Sequence, residues 1–310
     1  LGKVYLTMAG FPLNDTAKKA EAQQLFKEVI DYATARNKYW MADMDAWNQS
    51  WLHENDNKYA IFEIQYIAEA GQGNPMVTLT VPSNPGTDWC GNNLVTGTHV
   101  YIERGLQRHF IAKDEITGEY IDKRADGTLN LKETIDEDGN IVTSKGNTFY
   151  TKYFESKVKR AKFGMSDMDA TIVDRSYWPQ NFQLLRIEDI MLLYAECVGN
   201  TIEGRELVNK IRRRAGLADL DINLSEEEFQ KAVQDERRYE LAEEGVRWFD
   251  LVRRNEYVDT IKQMFINDDD TDNGTYRQYA NRVNADMYLY PIPQSQIEVR
   301  KGLYTQNKGY

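Results

Sequence analysis

The sequence contains few residues of the kinds that cross-link a chain or bind a metal ion. Its 310 residues include only two cysteines, Cys90 and Cys197, and three histidines. Two cysteines cannot build a disulfide framework or a four-cysteine zinc site, although these two could either pair or remain reduced. No apolar run approaches the roughly 18 residues of a membrane-spanning helix. We therefore predict no metal, no cofactor and a polypeptide that is soluble or peripheral to a membrane.

Basic residues are also fewer than acidic ones. The chain has 38 lysines and arginines against 49 aspartates and glutamates, a net charge of -11. This balance argues against nucleic acid as a partner, because an acidic surface repels a phosphate backbone. Aromatic residues are abundant, with 19 tyrosines, 11 phenylalanines and 6 tryptophans. They could serve core packing, a partner surface or stacking on a flat ligand, and composition does not choose among these roles.

Motifs of catalysis are missing. The sequence has no nucleophile elbow, no phosphate-binding Walker loop and no paired-histidine zinc helix. Gly71-Gln72-Gly73 lacks the third glycine of a dinucleotide-binding fingerprint. His99 and His109 lie in the loop-rich centre, where ordinary hydrogen bonding is a commoner role than metal binding or acid-base catalysis. We predict no catalytic residue from these motifs.

A densely charged segment follows Ser225. Ser225 and Glu228 have the spacing of a capping box, which predicts a helix beginning there, and Gly245 should end or bend it. Its later charged residues recur at spacings of three and four, which favours salt bridges along one helix rather than a catalytic carboxylate pair. These charged residues are Glu236, Arg237, Glu240, Glu244 and Arg247. We interpret the helix as scaffold, including Trp248.

Helical periodicity occurs on both sides of a central region. Leu1 to Gly10 and the spacing of Ala22, Phe26 and Ile30 predict two short antiparallel helices of the tetratricopeptide type. Phe182 to Val198 and Glu203 to Arg214 predict a second pair. Since the first helix lacks a signal-peptide pattern and a cap ahead of it, and a helical solenoid needs about three repeats, we expect the natural chain to begin upstream.

The centre, Pro75 to Trp178, is rich in turn-forming residues and predicts loops, with a β-hairpin turning near Asp138-Gly139. Trp89 lies among turn residues and amides, an arrangement that suits stacking on a sugar ring while its hydroxyl groups are hydrogen-bonded. Tyr101 and Trp178 are weaker candidates of the same kind, and Asn92 is a candidate amide partner. Burial in the core is the alternative for each aromatic. The early tryptophans are predicted to pack in the core: Trp40, Trp47 and Trp51.

Several C-terminal motifs resemble one known family. The strongest is ERRYELAEEGVRWFDLVR at residues 236–253. The others, in chain order, are LRIEDIMLLYAE at 185–196, VNKIRRRAGL at 208–217, YPIP at 290–293 and QNKGY at 306–310. Together they resemble the signature of the SusD/RagB family, although Lys308 stands where that family usually has proline.

The resemblance implies a mostly α-helical protein, with tetratricopeptide-like helix pairs and a loop-rich insertion containing short β-hairpins. It also implies a function. SusD-like proteins are lipoproteins of the Bacteroidetes outer membrane that bind glycans without cleaving them. They cover a TonB-dependent transporter of the SusC type in polysaccharide utilization, and some members bind peptides instead.

On this interpretation the chain is one SusD-like domain whose N-terminal portion, with the lipid anchor, is missing. Residues 1–66 would be a helical repeat part, 67–180 a ligand-binding insertion and 181–310 the C-terminal helical part. Two other functions stay open on the residues alone: a glycoside hydrolase that uses two of the many carboxylates, and an interaction module without a small ligand.

Overall fold

The computed structural model describes most of the chain, and its helices and strands form two compact units. The ranges described are 1–52, 55–69, 71–80, 102–131, 133–135, 141–143, 148–165, 178–267, 275–300 and 302–310. The first unit is Leu1–Tyr5 with Lys19–Gly245, and the second is Leu6–Lys18 with Val246–Tyr310. In these ranges no helix has both the length and the apolar character needed to span a bilayer.

The predicted N-terminal helices are confirmed. Helix α1 covers Gly2–Ala9 and α2 covers Lys18–Ala35. The buried stripe of α2 consists of Ala22, Phe26, Ile30 and Ala33, which recur at three- and four-residue steps as a helix face requires. Gly2 lies so close to Phe26 that an added Cβ would be 2.7 Å from its ring.

Helix α3, Met44–Ser50, contains Trp47, and Trp51 follows it directly. The helix begins at Asp43, whose Oδ1 accepts the Ala46 amide over 2.8 Å. Trp47 and Trp51 are buried and pack edge-to-face at 5.7 Å, in a cluster that includes Tyr153. Their assignment to the core is confirmed, whereas Trp40, which was predicted to pack in the core with them, is only partly buried.

A two-stranded antiparallel sheet joins distant parts of the first unit. Strand β1, Ala60–Ile64, pairs with β4, Phe182–Arg186, with Ile64 opposite Phe182. The prediction of a single helix from Phe182 to Val198 was therefore wrong over its first five residues. Backbone pairing with a strand far earlier in the chain decides their conformation, and no local periodicity reports such a partner.

The centre contains more helix than predicted. Its described elements are α4 Met76–Thr80, α5 Arg104–Ile111, α6 Ala125–Thr128, β2 Glu133–Ile135, β3 Ile141–Thr143 and α7 Lys157–Lys162. Strands β2 and β3 pair antiparallel, with Thr134 opposite Val142, which confirms the hairpin. Its turn at 136–140 lies outside the described residues. Helix α5 buries Leu106, Phe110 and Ile111 on one side.

The second helix pair is α8, Ile187–Val198, and α9, Ile202–Arg214. Helix α10, Glu226–Glu240, packs against α8 and has the predicted capping box: the Ser225 side chain accepts from the Glu228 amide, and the Glu228 carboxylate accepts from the Ser225 amide. The helix ends at Glu240, earlier than Gly245 suggested. Glu243 and Gly245 then adopt left-handed φ values of 71° and 74°.

The second unit contains α11 Arg247–Arg253, α12 Tyr257–Asn267, α13 Thr275–Arg282 and α14 Gln294–Val299. The Phe11 amide donates to the Arg253 carbonyl over 2.8 Å, and the Phe11 ring meets Tyr288 edge-to-face at 5.0 Å. Tyr290 to Pro293 lies outside the helices, as expected for residues beside prolines. The described chain is thus mostly helical, with tetratricopeptide-like helix pairs.

Candidate ligand-binding region

The residues predicted to bind ligand fall into two groups. Trp89, Asn92 and Tyr101 lie outside the described residues. Trp178 is described, and it is completely buried. Its Nε1 donates to the Tyr153 carbonyl over 2.9 Å, and its ring packs 5.1 Å from that of Phe154. This position does not match an exposed stacking platform, because the indole already has a backbone acceptor and core neighbours.

Trp178 lies where four stretches of the chain are joined. The Asn74 amide donates to the Trp178 carbonyl over 2.6 Å, and Asn74 Nδ2 donates to the Gln180 carbonyl over 2.9 Å. Gln180 Nε2 donates in turn to the Lys152 carbonyl over 2.7 Å and to the carbonyl of Trp51. Residues 81–101, with Trp89, follow Asn74 closely, and 166–177 immediately precede Trp178. This buried amide cluster therefore holds together the described residues that adjoin these two segments in the sequence.

Sequence reasoning missed this cluster. Asn74 and Gln180 stand in turn-rich sequence and resemble solvent-exposed loop residues, yet both are buried. Buried polar groups need hydrogen-bond partners, and loops lack the regular backbone pairing of helices and sheets. The side chains of Asn74 and Gln180 supply hydrogen bonds to distant backbone carbonyls instead. In the sequence, only the closeness of Trp178 to the amide of Gln180 could have indicated a buried polar cluster.

Carboxylates of α10, and Glu244 just beyond it, bind cations from elsewhere in the chain. Arg124 Nη1 lies 2.7 Å from Glu236 Oε1 and 2.8 Å from Glu240 Oε2. Arg186 Nη1 lies 2.7 Å from Glu240 Oε1, and its Nε lies 2.7 Å from Glu244 Oε2. The predicted salt bridges along one helix are not the pairing seen among these residues, because their side chains face inward to cations of other elements.

Two more buried cations belong to this ion network. Arg214 Nη2 lies 2.5 Å from Glu240 Oε1, and Lys152 Nζ lies 2.7 Å from Glu244 Oε1. The network thereby ties the centre, through Arg124 and Lys152, to the helix pair, through Arg214. Removing one partner of a buried pair typically costs about 3–5 kcal/mol, because the other charge stays buried without compensation.

The network keeps its central carboxylate ionised. Burial alone would raise the pKa of Glu240, but Arg214, Arg186 and Arg124 hold it well below its usual range. A glycosidase acid needs a raised pKa, so that it carries a proton to donate. Glu240 has the opposite property and serves as a structural anion.

Glu243 behaves differently from its neighbours. Burial raises the pKa of its carboxyl to about 8, although Lys152 acts to lower it. Its Oε2 accepts the Lys152 amide over 3.0 Å. The group is therefore mostly protonated at neutral pH, in a turn with left-handed backbone.

His109 makes a structural contact. Its Nε2 lies 2.8 Å from Asp122 Oδ2, and its ring stacks on Tyr239 at 3.4 Å with an angle of 3°. Burial would raise the pKa of Asp122, but Arg124 and His109 hold it below its usual range. The predicted hydrogen-bonding role of His109 is confirmed, while His99 lies outside the described residues. Among the side chains that the structure describes, no group of three or more potential ligands could hold a metal ion.

Comparisons with known proteins agree on one family. The model of the SusD family matches residues 9–310. "SusD-like protein P38" of Formosa agariphila is 37% identical over 92 residues, which are 26% of this chain and 18% of that protein.

Solved structures share the fold. A SusD homolog from Bacteroides thetaiotaomicron superposes with a TM-score of 0.72 and 20% identity, covering 99% of this chain and 62% of that one. Surface glycan-binding protein A from the same species, in complex with laminarihexaose, has a TM-score of 0.68 and 19% identity, covering 100% of this chain and 63% of that one. This chain therefore spans less than two thirds of each of these proteins.

Proposed function

Because the chain belongs to the SusD family, we propose that it binds oligosaccharide without cleaving it. The observation that carries this proposal is the family match over residues 9–310. It is supported by the shared fold of a protein whose structure holds laminarihexaose.

We place the binding site in the loop-rich insertion, residues 67–180. Trp89 is proposed as the stacking platform, with Asn92 and Tyr101 beside it. A sugar ring offers an apolar C–H face to an indole, and its hydroxyl groups need hydrogen-bonding partners such as amides. The buried cluster around Asn74, Trp178 and Gln180 supports this placement, since a loop site needs a rigid base.

The absence of catalysis is part of the proposal. A hydrolase needs one carboxyl group with a raised pKa beside a second carboxylate, both facing the substrate. Glu236, Glu240 and Glu244 are buried and bound to cations. These three carboxylates of the family motif suit a scaffold.

We further propose that the whole protein is lipid-anchored at the outer-membrane surface and passes glycan to a SusC-like TonB-dependent transporter. This part rests on membership of the family. The cell-surface location follows from the same premise, as does a role in glycan uptake.

A binding assay combined with product analysis tests the proposal. Calorimetric titration of the protein with laminarihexaose and other hexasaccharides should give saturable binding, and chromatography after long incubation should show the glycans intact. Shortened products would indicate the hydrolase alternative. Failure of every glycan to bind, with retained capture of the transporter, would indicate an interaction module, and binding of peptides alone would change the cargo class.

A further inference from the structure

An aromatic and a cation meet at the surface of the first unit, between the turn that follows α2 and helix α9. Trp40 is partly exposed, and the Nζ of Lys210 lies 4.3 Å from the centroid of its indole ring. The Arg214 guanidinium lies 5.0 Å from the same ring. The ring thus faces two cations, an arrangement that is favourable in itself.

The two cations differ in what else they bind. Arg214 is buried and donates to Glu188 over 2.7 Å and to Glu240 over 2.5 Å. Lys210 is only half-buried, and among the residues that the structure describes no carboxylate lies within ion-pair distance of its ammonium group. The ammonium group contacts the ring of Trp40, which is not a hydrogen-bonded ion pair, so its N–H groups can still donate to a ligand.

The two carboxylates that influence Lys210, Glu188 and Glu206, are bound to arginines. Burial lowers the pKa of Lys210, against the more distant influence of Glu188 and Glu206. Glu188 binds Arg214 and lies 3.1 Å from Arg186, while Glu206 binds Arg213 over 2.7 Å. The Lys210 ammonium is therefore a partly desolvated charge without its own counter-ion, which an incoming anion would stabilise.

The backbone of this turn is strained. Tyr39 has a φ of 67° and Asn37 a φ of 49°. Positive φ is unusual for a bulky residue such as tyrosine, and such outliers cluster at ligand-binding segments. Both residues lie shortly before Trp40, which is outside the buried cluster of Trp47 and Trp51.

We propose that Trp40 and Lys210 form a subsite for an acidic sugar unit, whose ring stacks on the indole while its carboxylate or sulfate group binds the ammonium. This inference rests on the proposed glycan-binding function and specifies a charge class within it. The subsite lies on the helical part of the first unit, separate in sequence from the insertion that contains Trp89.

Charge-selective binding tests the subsite. The wild-type protein is titrated with hexagalacturonate, with sulfated laminarihexaose and with unmodified laminarihexaose. Lys210→Met removes the charge but keeps the apolar stem, and Lys210→Arg keeps the charge. Lys231→Met, at an exposed lysine paired with Asp235, is the matched control. We expect Lys210→Met to weaken binding of an acidic probe about tenfold or more, since a charge-assisted hydrogen bond is lost, and the other two variants to change it little.

A second readout is independent of affinity. Reductive methylation makes each lysine visible by carbon-13 NMR, and an acidic probe bound at Lys210 should raise the pKa at which its signal titrates. Preference for hexagalacturonate would identify a uronate site, and preference for the sulfated probe a sulfate-ester site. Equal loss of neutral and acidic probes in Lys210→Met, or an unmoved Lys210 signal, would overturn the subsite. Binding of laminarihexaose alone would overturn it too while leaving the proposed function intact, whereas no binding of any glycan defeats the proposed function itself.

Discussion

Gln306 holds Ile292 through both ends of its side-chain amide. Its Oε1 accepts the Ile292 amide over 2.8 Å, and its Nε2 donates to the Ile292 carbonyl over 2.9 Å. The Asn307 side chain adds a hydrogen bond to the Tyr290 carbonyl over 2.6 Å. The two C-terminal motifs of the family, one containing Ile292 and the other Gln306, are therefore a single structural unit in which each fixes the other.

Gln306→Ala should loosen the end of the second unit. Both hydrogen bonds are partly buried, and their loss should cost about 1–3 kcal/mol locally. Hydrogen exchange at the Ile292 amide should become faster. Gln294→Ala, which removes only an exposed contact with Glu298, serves as the control. Unchanged exchange at Ile292 would show that the amide clamp contributes nothing.

Glu240→Gln should strongly destabilise the first unit. The substitution leaves Arg124, Arg186 and Arg214 in the interior with one anion fewer, and we expect a loss of about 3–5 kcal/mol. Chemical denaturation measures it. Glu206→Gln removes an exposed partner of Arg213 and should leave stability nearly unchanged. Equal effects of the two variants would mean that burial of the network adds nothing.

Stability should fall as the pH rises from about 4.5 to 8 because of Glu243. The unfolded chain releases this proton near pH 4.5, while the folded protein keeps it until about pH 8. The folded state therefore binds more protons over this range, and the free energy of unfolding should decline by up to about 1.4 kcal/mol per pH unit. The pKa of Lys159, lowered to about 8 by burial, affects stability only at higher pH.

Glu243→Gln should flatten that decline and make the protein more stable than wild type near pH 8. The amide keeps an acceptor for the Lys152 amide but cannot ionise. Denaturation of both proteins across the pH series gives the difference directly. Parallel curves for variant and wild type would show that Glu243 titrates normally.

Trp89 and Trp178 should respond to substitution in opposite ways. Trp89→Ala should abolish glycan binding without lowering the melting temperature, as expected of a surface platform. Trp178→Phe leaves the Tyr153 carbonyl without its donor and should cost about 1–3 kcal/mol in stability. Calorimetry of binding and of melting separates the two. Unchanged affinity after Trp89→Ala would remove it from the site.

Local patterns predicted the elements that local forces decide. The capping box at Ser225, the stripe of α2 and the hairpin strands around residues 136–140 follow from nearby residues alone. The strand Phe182–Arg186 does not, because its partner lies far away in the sequence. The burial of an aromatic residue in turn-rich sequence could not be predicted for the same reason. Trp178 and Trp89 stand in similar sequence, yet Trp178 is buried and donates to the carbonyl of Tyr153, which lies 25 residues earlier.

The cations that pair with α10 could not be predicted from local sequence either. Spacing along one helix suggested pairing among its own residues, but the guanidinium groups of Arg124 and Arg186 come from elements that a helical wheel does not include. A charged segment can therefore be assigned to the scaffold from its motif. Its ion-pair partners cannot be predicted in the same way, because they come from distant parts of the sequence.

The buried ion network also orders events during synthesis. Arg124, Lys152, Arg186 and Arg214 all leave the ribosome before Glu236, Glu240 and Glu244, so for a time they lack these three counter-ions. Until then Arg124 can pair with Asp122, and Arg186 and Arg214 with Glu188. The interior that they share lacks these carboxylates until α10 and Glu244 are made. A nascent chain halted before residue 226 should therefore stay sensitive to protease across the whole first unit, and a few additional turns of helix should protect it at once.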